Sequence, residues 1–170
     1  MLSLKYKPKD IVKTRNSPIA WMMMVLRPIG VIHSPYGEKG LEAPPQGRHR
    51  PEEVSEIEVF KEYAEGLKDV EGFSHLIILY WCHKSEKYML LQETPWDTKP
   101  HGVFATRSQH RPNPIGLTVV ELVERRGNLL TVKGLDAIDG TPLLDIKPYI
   151  PSIDSYPEAA TGWMKNKFKT

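Results

Sequence analysis

The sequence predicts a mainly β protein, a sandwich or barrel of short strands with little helix. Three observations predict it. Proline fills 15 of 170 positions, about 9% against a usual ~5%, and proline ends helices. Short apolar, β-branched runs recur along the chain with Gly, Asn or Asp-Gly turn signals between them. No GxGxxG follows a strand, so a doubly wound nucleotide fold is unsupported.

The elements follow in order. Residues 1–21 lack periodicity and read as a loose basic arm. Residues 25–33 read as a first strand with a break at Pro28. Residues 34–50 hold three prolines, too many breakers for a strand, and read as a long loop; such loops are usually functional or disordered. SEIEVF over 55–60 alternates, with Ile57 and Val59 on one face, as an edge-like strand does. Residues 61–67 read as one or two helical turns stopped near Gly66. FSHLIILYWC over 73–82 is rich in strand formers and reads as a buried strand. Residues 103–106 read as a short strand. IGLTVVELV over 115–123, a turn at 125–128 centred on Gly127, and LLTVKGL over 129–135 read as a hairpin. Asp139-Gly140 is a turn signal. Residues 143–150 read as a last strand, with Pro148 near its end.

Composition bounds the rest. At 19.4 kDa, with 40% hydrophobic and 26% charged residues, the chain suits one domain with a real core. That domain is expected over 22–157, followed by a short basic tail over 158–170. Three methionines at 22–24 leave room for a translation start inside the chain. The lone Cys82 cannot form an internal disulfide, and the six histidines lack metal-ligand spacing. A reducing cytoplasmic setting is the simplest reading. The longest apolar run, 19–26, is too short for a membrane span. The net charge of +2 is uneven: residues 1–20 carry +4, residues 165–170 carry +3, and the stretch between carries −5. Basic tails are either solvated or in contact with a nucleic-acid backbone.

Three clusters carry chemistry. In GVFATRSQHRPNPIGL (102–117) two prolines bracket Asn113 and stiffen the stretch, so Arg107 and Arg111 point in fixed directions. Two guanidiniums on a stiff loop suit a carboxylate or phosphate; the plain alternative is a rigid turn with solvent-facing arginines. In the second cluster, 136–149, Asp145 and Lys147 lie two apart on a strand and share a face that Tyr149 continues. They form either a salt-bridged exposed face or the polar floor of a pocket. In the third, His75 precedes an apolar strand, where a lone histidine is either structural or part of a site.

Together these clusters resemble the TsaA-like domain family, whose characterised members include S-adenosylmethionine-dependent tRNA methyltransferases acting on N6-threonylcarbamoyladenosine. The resemblance runs from about residue 26 to 155. It is carried by IGVIHSP (29–35), EGFSHL (71–76), GVFATRS (102–108), RPNPIGL (111–117) and DGTPLLDIKPY (139–149). It implies a compact single-sheeted β-barrel with short helices. It also implies a homodimer with the cofactor near the subunit interface, and tRNA, at its anticodon loop, as partner. Carried over by position, the cofactor contacts fall on Pro44, Pro45, Gln46, His75, Leu76, Arg107, Leu117, Ile138, Asp139, Gly140 and Thr141. Asp139, Asp145, Lys147 and Asn113 are the catalytic candidates, and Arg111 and Tyr149 the substrate contacts; no metal is expected. The family has Pro-Arg-Gln where this chain has Pro44-Pro45-Gln46, and commonly an aromatic residue where His110 stands. Longer members carry a further C-terminal domain. Two other functions stay open: methyl transfer to a non-tRNA substrate, and a non-catalytic barrel that binds S-adenosylmethionine as a sensor or interaction module.

Overall fold

A computed structural model describes residues 25–37, 40–165 and 167; the basic arm over 1–21 lies outside them. Six antiparallel strands close into a barrel in the order β1-β2-β7-β6-β3-β8. They are β1 (Gly30–His33), β2 (Val54–Val59), β3 (His75–Trp81), β6 (Ile115–Arg126), β7 (Leu129–Lys133) and β8 (Thr141–Pro148). A separate two-stranded sheet pairs β4 (Leu91–Thr94) with β5 (Asp97–Gly102). Closure leaves no unpaired edge among the six strands.

Alternation along the strands makes the core. β2 buries Ser55, Ile57 and Val59 and exposes Val54, Glu56 and Glu58. β3 buries Leu76, Ile78 and Tyr80. With Ile32, Val120, Leu130, Val132 and Leu143 these side chains fill the barrel. Two connections close its ends. The 3₁₀ turns Lys61–Leu67 and Val70–Gly72 link β2 to β3 and bury Leu67 at one end. Residues 134–140 link β7 to β8 and bury Leu135 and Ala137 at the other. Because neighbouring strands are antiparallel, β1, β3 and β7 finish at the 134–140 end, and β2, β6 and β8 start there. This end is called the upper rim.

Several boundaries differ from expectation, each for a local reason. β1 begins at Gly30, not Val25, because Pro28 has no N–H for a ladder. Gly134, at φ 77, turns the chain out of β7 two residues early. β6 continues through a bulge between Leu122 and Glu124 as far as Arg126. β8 starts at Thr141 and ends at Pro148, so Tyr149 lies beyond it. The expected strand at 103–106 is instead a 3₁₀ turn, Val103–Ala105, closed by Thr106 N–H to the Val103 carbonyl at 3.2 Å. The β4–β5 hairpin was not legible, since its residues are mostly exposed and lack period-two alternation. The 61–67 turns are 3₁₀, not α. The segment after 158 is more than a tail: Trp163 Nε1 donates to the Ala105 carbonyl at 2.8 Å, and its ring stacks on His101 at 3.9 Å. A four-residue helix, α1 (Pro151–Asp154), leads into it.

Candidate functional site at the upper rim

The rim is built on one carboxylate. Asp136 sits between buried Leu135 and Ala137. Its Oδ1 accepts the Tyr80 hydroxyl at 2.8 Å and also the Thr118 hydroxyl. Its Oδ2 accepts the Gly47 amide at 3.2 Å. Burial, and then the Asp136 charge, push the Tyr80 phenol far above its ordinary range, so it stays a neutral donor. A Cβ at position 47 would collide with the Gly134 carbonyl, so only glycine lets the loop come this close. The long 34–50 loop is thereby pinned to strands β3 and β6.

A second set of bonds ties the start of that loop to the Asp139-Gly140 turn. Asp139 Oδ1 accepts the Ser34 amide at 3.1 Å, and Ser34 Oγ donates to the Ala137 carbonyl at 2.8 Å. The Asp139 amide donates to the Tyr36 carbonyl, and the Gly140 amide to that of Ile32. Gly140 adopts φ 73, the left-handed geometry that the turn needs. Asp139 keeps its carboxylate 61% exposed, 4.0 Å from His33 Nδ1; His33 Nε2 in turn meets Glu58 at 3.2 Å. Thr141 is buried and Ile138 half-buried. In the loop, Pro44 is buried, Pro45 is exposed, and Gln46 turns its amide onto the Pro45 carbonyl at 2.7 Å.

The stiff 102–117 stretch forms the facing side. Arg107 Nη2 donates to the Leu117 carbonyl at 2.9 Å, and the Leu117 side chain is 43% exposed on the barrel's outer surface. Arg111 has an internal task. Its Nη1 donates to the carbonyls of Val103 and Thr106 at 3.0 and 2.9 Å, under the exposed Phe104 ring. Asn113 is exposed and its carbonyl accepts the Ile115 amide; its side-chain amide makes no hydrogen bond among the described residues.

The structure therefore brings Pro44, Pro45, Gln46, Arg107, Leu117 and 138–141 to one end of the barrel. Within a single chain it does not bring His75, Leu76 or Tyr149 there. His75 opens β3 at the other end, six residues from Trp81, about 20 Å along the strand. Tyr149 sits beside it, with its amide on the His75 carbonyl and the two rings 6.4 Å apart. The Leu76 side chain is in the core, which leaves only its main chain for a ligand. Asp145 and Lys147 share the outer face of β8, as expected, in an ion pair of 2.8 Å that holds the Lys147 ammonium above its ordinary range. They lie opposite Leu79 and Ile77 of β3.

One residue of the rim was missed. Asp136 carried a signal, an acid set between apolar neighbours in a segment leaving a strand. His83 is a packing residue just past β3: its Nδ1 is buried without a hydrogen-bond partner among the described residues, and burial, then Lys84, lower its pKa below 6.5. Cys82, beside it, is pushed up to about 11 by burial and by Asp136, so it is an inert thiol. A small cavity lined by residues 66–70, Phe73, Ile146 and Pro148 lies at the opposite end, away from this site.

Chemically, the rim offers a carboxylate, an amide, a guanidinium and an exposed apolar side chain. That set suits a ligand with an amino-acid portion and an aromatic ring. Among the described residues no group of three or more His, Cys, Asp or Glu stands close enough to hold a metal, and no helix is long and apolar enough to cross a membrane.

Comparison with known proteins bears on the family and the fold. The family model for the tRNA-methyltransferase O N-terminal domain matches residues 31–155. A probable S-adenosyl-L-methionine-binding protein of Archaeoglobus fulgidus is 56% identical over 144 residues, covering 85% of this chain and 39% of that protein. A tRNA (adenine(37)-N6)-methyltransferase of Escherichia coli is 38% identical, over 81% of this chain and 63% of that protein. The crystal structure of TrmO from Pseudomonas aeruginosa superposes with a TM-score of 0.69 at 35% identity, over 84% of this chain and 63% of that one. The chain thus spans less than two thirds of the length of these three proteins. The match over 31–155 and the shared fold lead to one conclusion: this chain belongs to the tRNA-methyltransferase O N-terminal domain family.

Proposed function

We propose that this chain is an S-adenosylmethionine-dependent methyltransferase acting on N6 of threonylcarbamoyladenosine at position 37, in the anticodon loop of tRNA. The observation that carries the reading is the convergence of Gln46, Arg107, Leu117 and 138–141 on one rim of a barrel whose relatives bear these two names. The donor set fits the cofactor: Asp139 can accept from ribose hydroxyls or an ammonium, Arg107 can meet a carboxylate, and Leu117 can cover an aromatic ring. When bound, the cofactor supplies an electrophilic methyl on a sulfonium.

The chain's own residues have to position the acceptor and take its proton. The N6 amine is a poor nucleophile because its lone pair is delocalised into the ring. An acceptor on N6–H localises that pair, and holding the amine in line with the methyl supplies most of the remaining rate. The exposed Asp139 carboxylate and the uncommitted Asn113 amide are suited to that acceptor role. Lys147, kept charged by Asp145, is suited to the threonyl carboxylate. Tyr149 is placed to stack on a splayed base.

A homodimer is part of this proposal. Ile115 and Leu117 are 40% and 43% exposed on the outer face of β6, an apolar flank next to the rim. Burying that flank against a second copy in opposed orientation would set the His75–Tyr149 end of one chain near the rim of the other. A cytoplasmic setting is part of the proposal too, supported by the single free cysteine, Cys82.

The test is methyl transfer from labelled cofactor to bulk tRNA and to an unmodified transcript. Methylation of bulk tRNA alone supports the reading; methylation of the bare transcript, or of neither, refutes it. A second reading has one observation in its favour: the exposed Pro45 removes a cationic contact of the family pattern. Under it the barrel binds the cofactor as a sensor, or methylates another substrate, and cofactor binding without tRNA turnover is the result expected.

A further inference from the structure

We infer that Arg48, on the 3₁₀ turn Gly47–His49 beside the candidate site, is a contact for a backbone phosphate of the RNA substrate. This rests on the tRNA reading above and adds the place where the polyanion lies. Three observations carry it.

The turn is a fixed mount. Its first residue is held by Asp136 and wedged against Gly134. Its own bonds run from the His49 amide to Gln46 and from the Arg50 amide to Gly47, at 2.9 and 3.0 Å, and the Glu53 amide continues onto Arg50. With Gly47 buried inward, Arg48 and His49 face solvent.

The other arginines near the rim are already engaged within the chain. Arg111 spans two main-chain carbonyls, Arg107 is held by the Leu117 carbonyl, and Arg50 lies over the Tyr36 ring at 5.8 Å. Arg48 makes no hydrogen bond or ion pair among the described residues. It stands two positions after Gln46, at the lip of the site.

The exposed acids of β2 limit where an RNA can lie beside it. The stretch 21–164 carries −5, and β2, which follows the turn, exposes Glu56 and Glu58. A phosphate chain is repelled from that flank and needs cations elsewhere. An exposed arginine at the outer lip suits a large polyanion passing over the rim, whereas the carboxylate of a small cofactor belongs further in, at Arg107.

The experiment measures binding of purified bulk tRNA by fluorescence anisotropy between about 50 and 200 mM KCl, a range over which phosphate contacts lose affinity. It compares the full chain with Arg48→Ala, Arg48→Lys and Lys61→Ala at the opposite end. Calorimetry with S-adenosylmethionine and melting temperatures run alongside. Arg48→Ala is expected to weaken tRNA binding several-fold and to flatten the slope of log K against log salt by about 0.7, one single-strand phosphate contact. Arg48→Lys should keep the slope, Lys61→Ala should change nothing, and cofactor affinity should be equal in all four. An unchanged slope in Arg48→Ala overturns the contact. So does a loss of cofactor affinity without RNA, which would place Arg48 on the cofactor carboxylate. If the wild-type chain binds cofactor but no tRNA even at about 50 mM salt, the tRNA reading itself falls, and this contact falls with it.

Discussion

The hydroxyl of Tyr80 donates to the carboxylate of Asp136 at 2.8 Å, and the same carboxylate accepts the amide of Gly47, 89 positions away in the chain. One side chain thus fixes a long loop to the barrel. Removing it strips the acceptor from three donors, among them the buried Tyr80 hydroxyl. Each buried donor left unsatisfied costs about 1–3 kcal/mol. Asp136→Ala should therefore destabilise the chain by about 3 kcal/mol, a fall in melting temperature of roughly 6–12 °C. Tyr80→Phe leaves the other two donors paired and should cost about 1 kcal/mol. Equal melting temperatures for the two variants would show that Asp136 does not hold the loop.

Gly47→Ala probes the same junction from the other side. The added methyl meets the Gly134 carbonyl, which is backbone and cannot swing away. The turn has to lift off the barrel and carry Gln46 with it. Cofactor affinity is expected to fall at least tenfold by calorimetry. Gly66→Ala, where a Cβ meets nothing within 4 Å, is the matched control and should leave affinity unchanged.

These junctions show what was legible in the sequence. Strands β2, β3 and β6 were readable because their inward residues alternate with outward ones or form continuous strand-forming runs. The Asp139-Gly140 turn was readable because few residues besides glycine accept φ 73. The β4–β5 hairpin was not, since an exposed two-stranded sheet buries almost no apolar stripe to leave a periodic trace. Barrel closure came from family motifs, because strand order depends on long-range pairing such as Gly30 with Leu143. The candidate site residues were named by motif, and the structure separates them into two ends, which no local pattern could foretell. The tasks of Arg111 and Trp163 lie in contacts to main-chain carbonyls, which composition does not encode.

Under the proposed function, Asp139 serves the cofactor and Lys147 the RNA substrate, so their variants should differ. Asp139→Ala removes an exposed carboxylate and one bond to the Ser34 amide, so the melting temperature should fall by no more than about 4 °C, the equivalent of about 1 kcal/mol. Cofactor binding should weaken at least tenfold. Lys147→Met breaks an exposed ion pair, and such pairs contribute about 0–1 kcal/mol. Its expected signature is a raised KM for tRNA with unchanged cofactor affinity. Wild-type kinetics in both variants would remove these residues from the site.

His83 sets a pH dependence of its own. Burial, and then Lys84, lower its folded pKa below the 6.5 of the unfolded chain. Above pH 6.5 both states are neutral there, and the group costs the fold nothing. As pH falls through 6.5 the unfolded chain takes up the proton first, so stability is lost until the pH drops below the folded pKa. Glu52 and Glu71 act in the same direction, but only below 4.5, because their unfolded pKa lies there. The window between pH 6.5 and 4.5 therefore isolates the histidine from these two. His83→Gln, which cannot charge, should flatten the fall in melting temperature across that window and leave the fall below it intact. A wild-type slope in the variant would mean that another group governs the acid response.

The last contact, Trp163 on His101 and Ala105, predicts that the chain beyond the barrel stabilises the loop that carries Arg107. The indole donates to the Ala105 carbonyl, two residues from Arg107, and covers the His101 ring at 3.9 Å. Trp163→Ala should cost about 2 kcal/mol, the loss of one hydrogen bond and one stacked pair with its buried area. Because the strain falls on the 103–111 loop, cofactor affinity should weaken by several-fold in the same variant. Trp163→Phe keeps the stack and loses only the donor, so it should recover most of both losses. A chain ending at residue 160 should match Trp163→Ala. If truncation lowers stability while Trp163→Ala does not, the stabilisation comes from other residues of the segment, and the indole is only a surface contact.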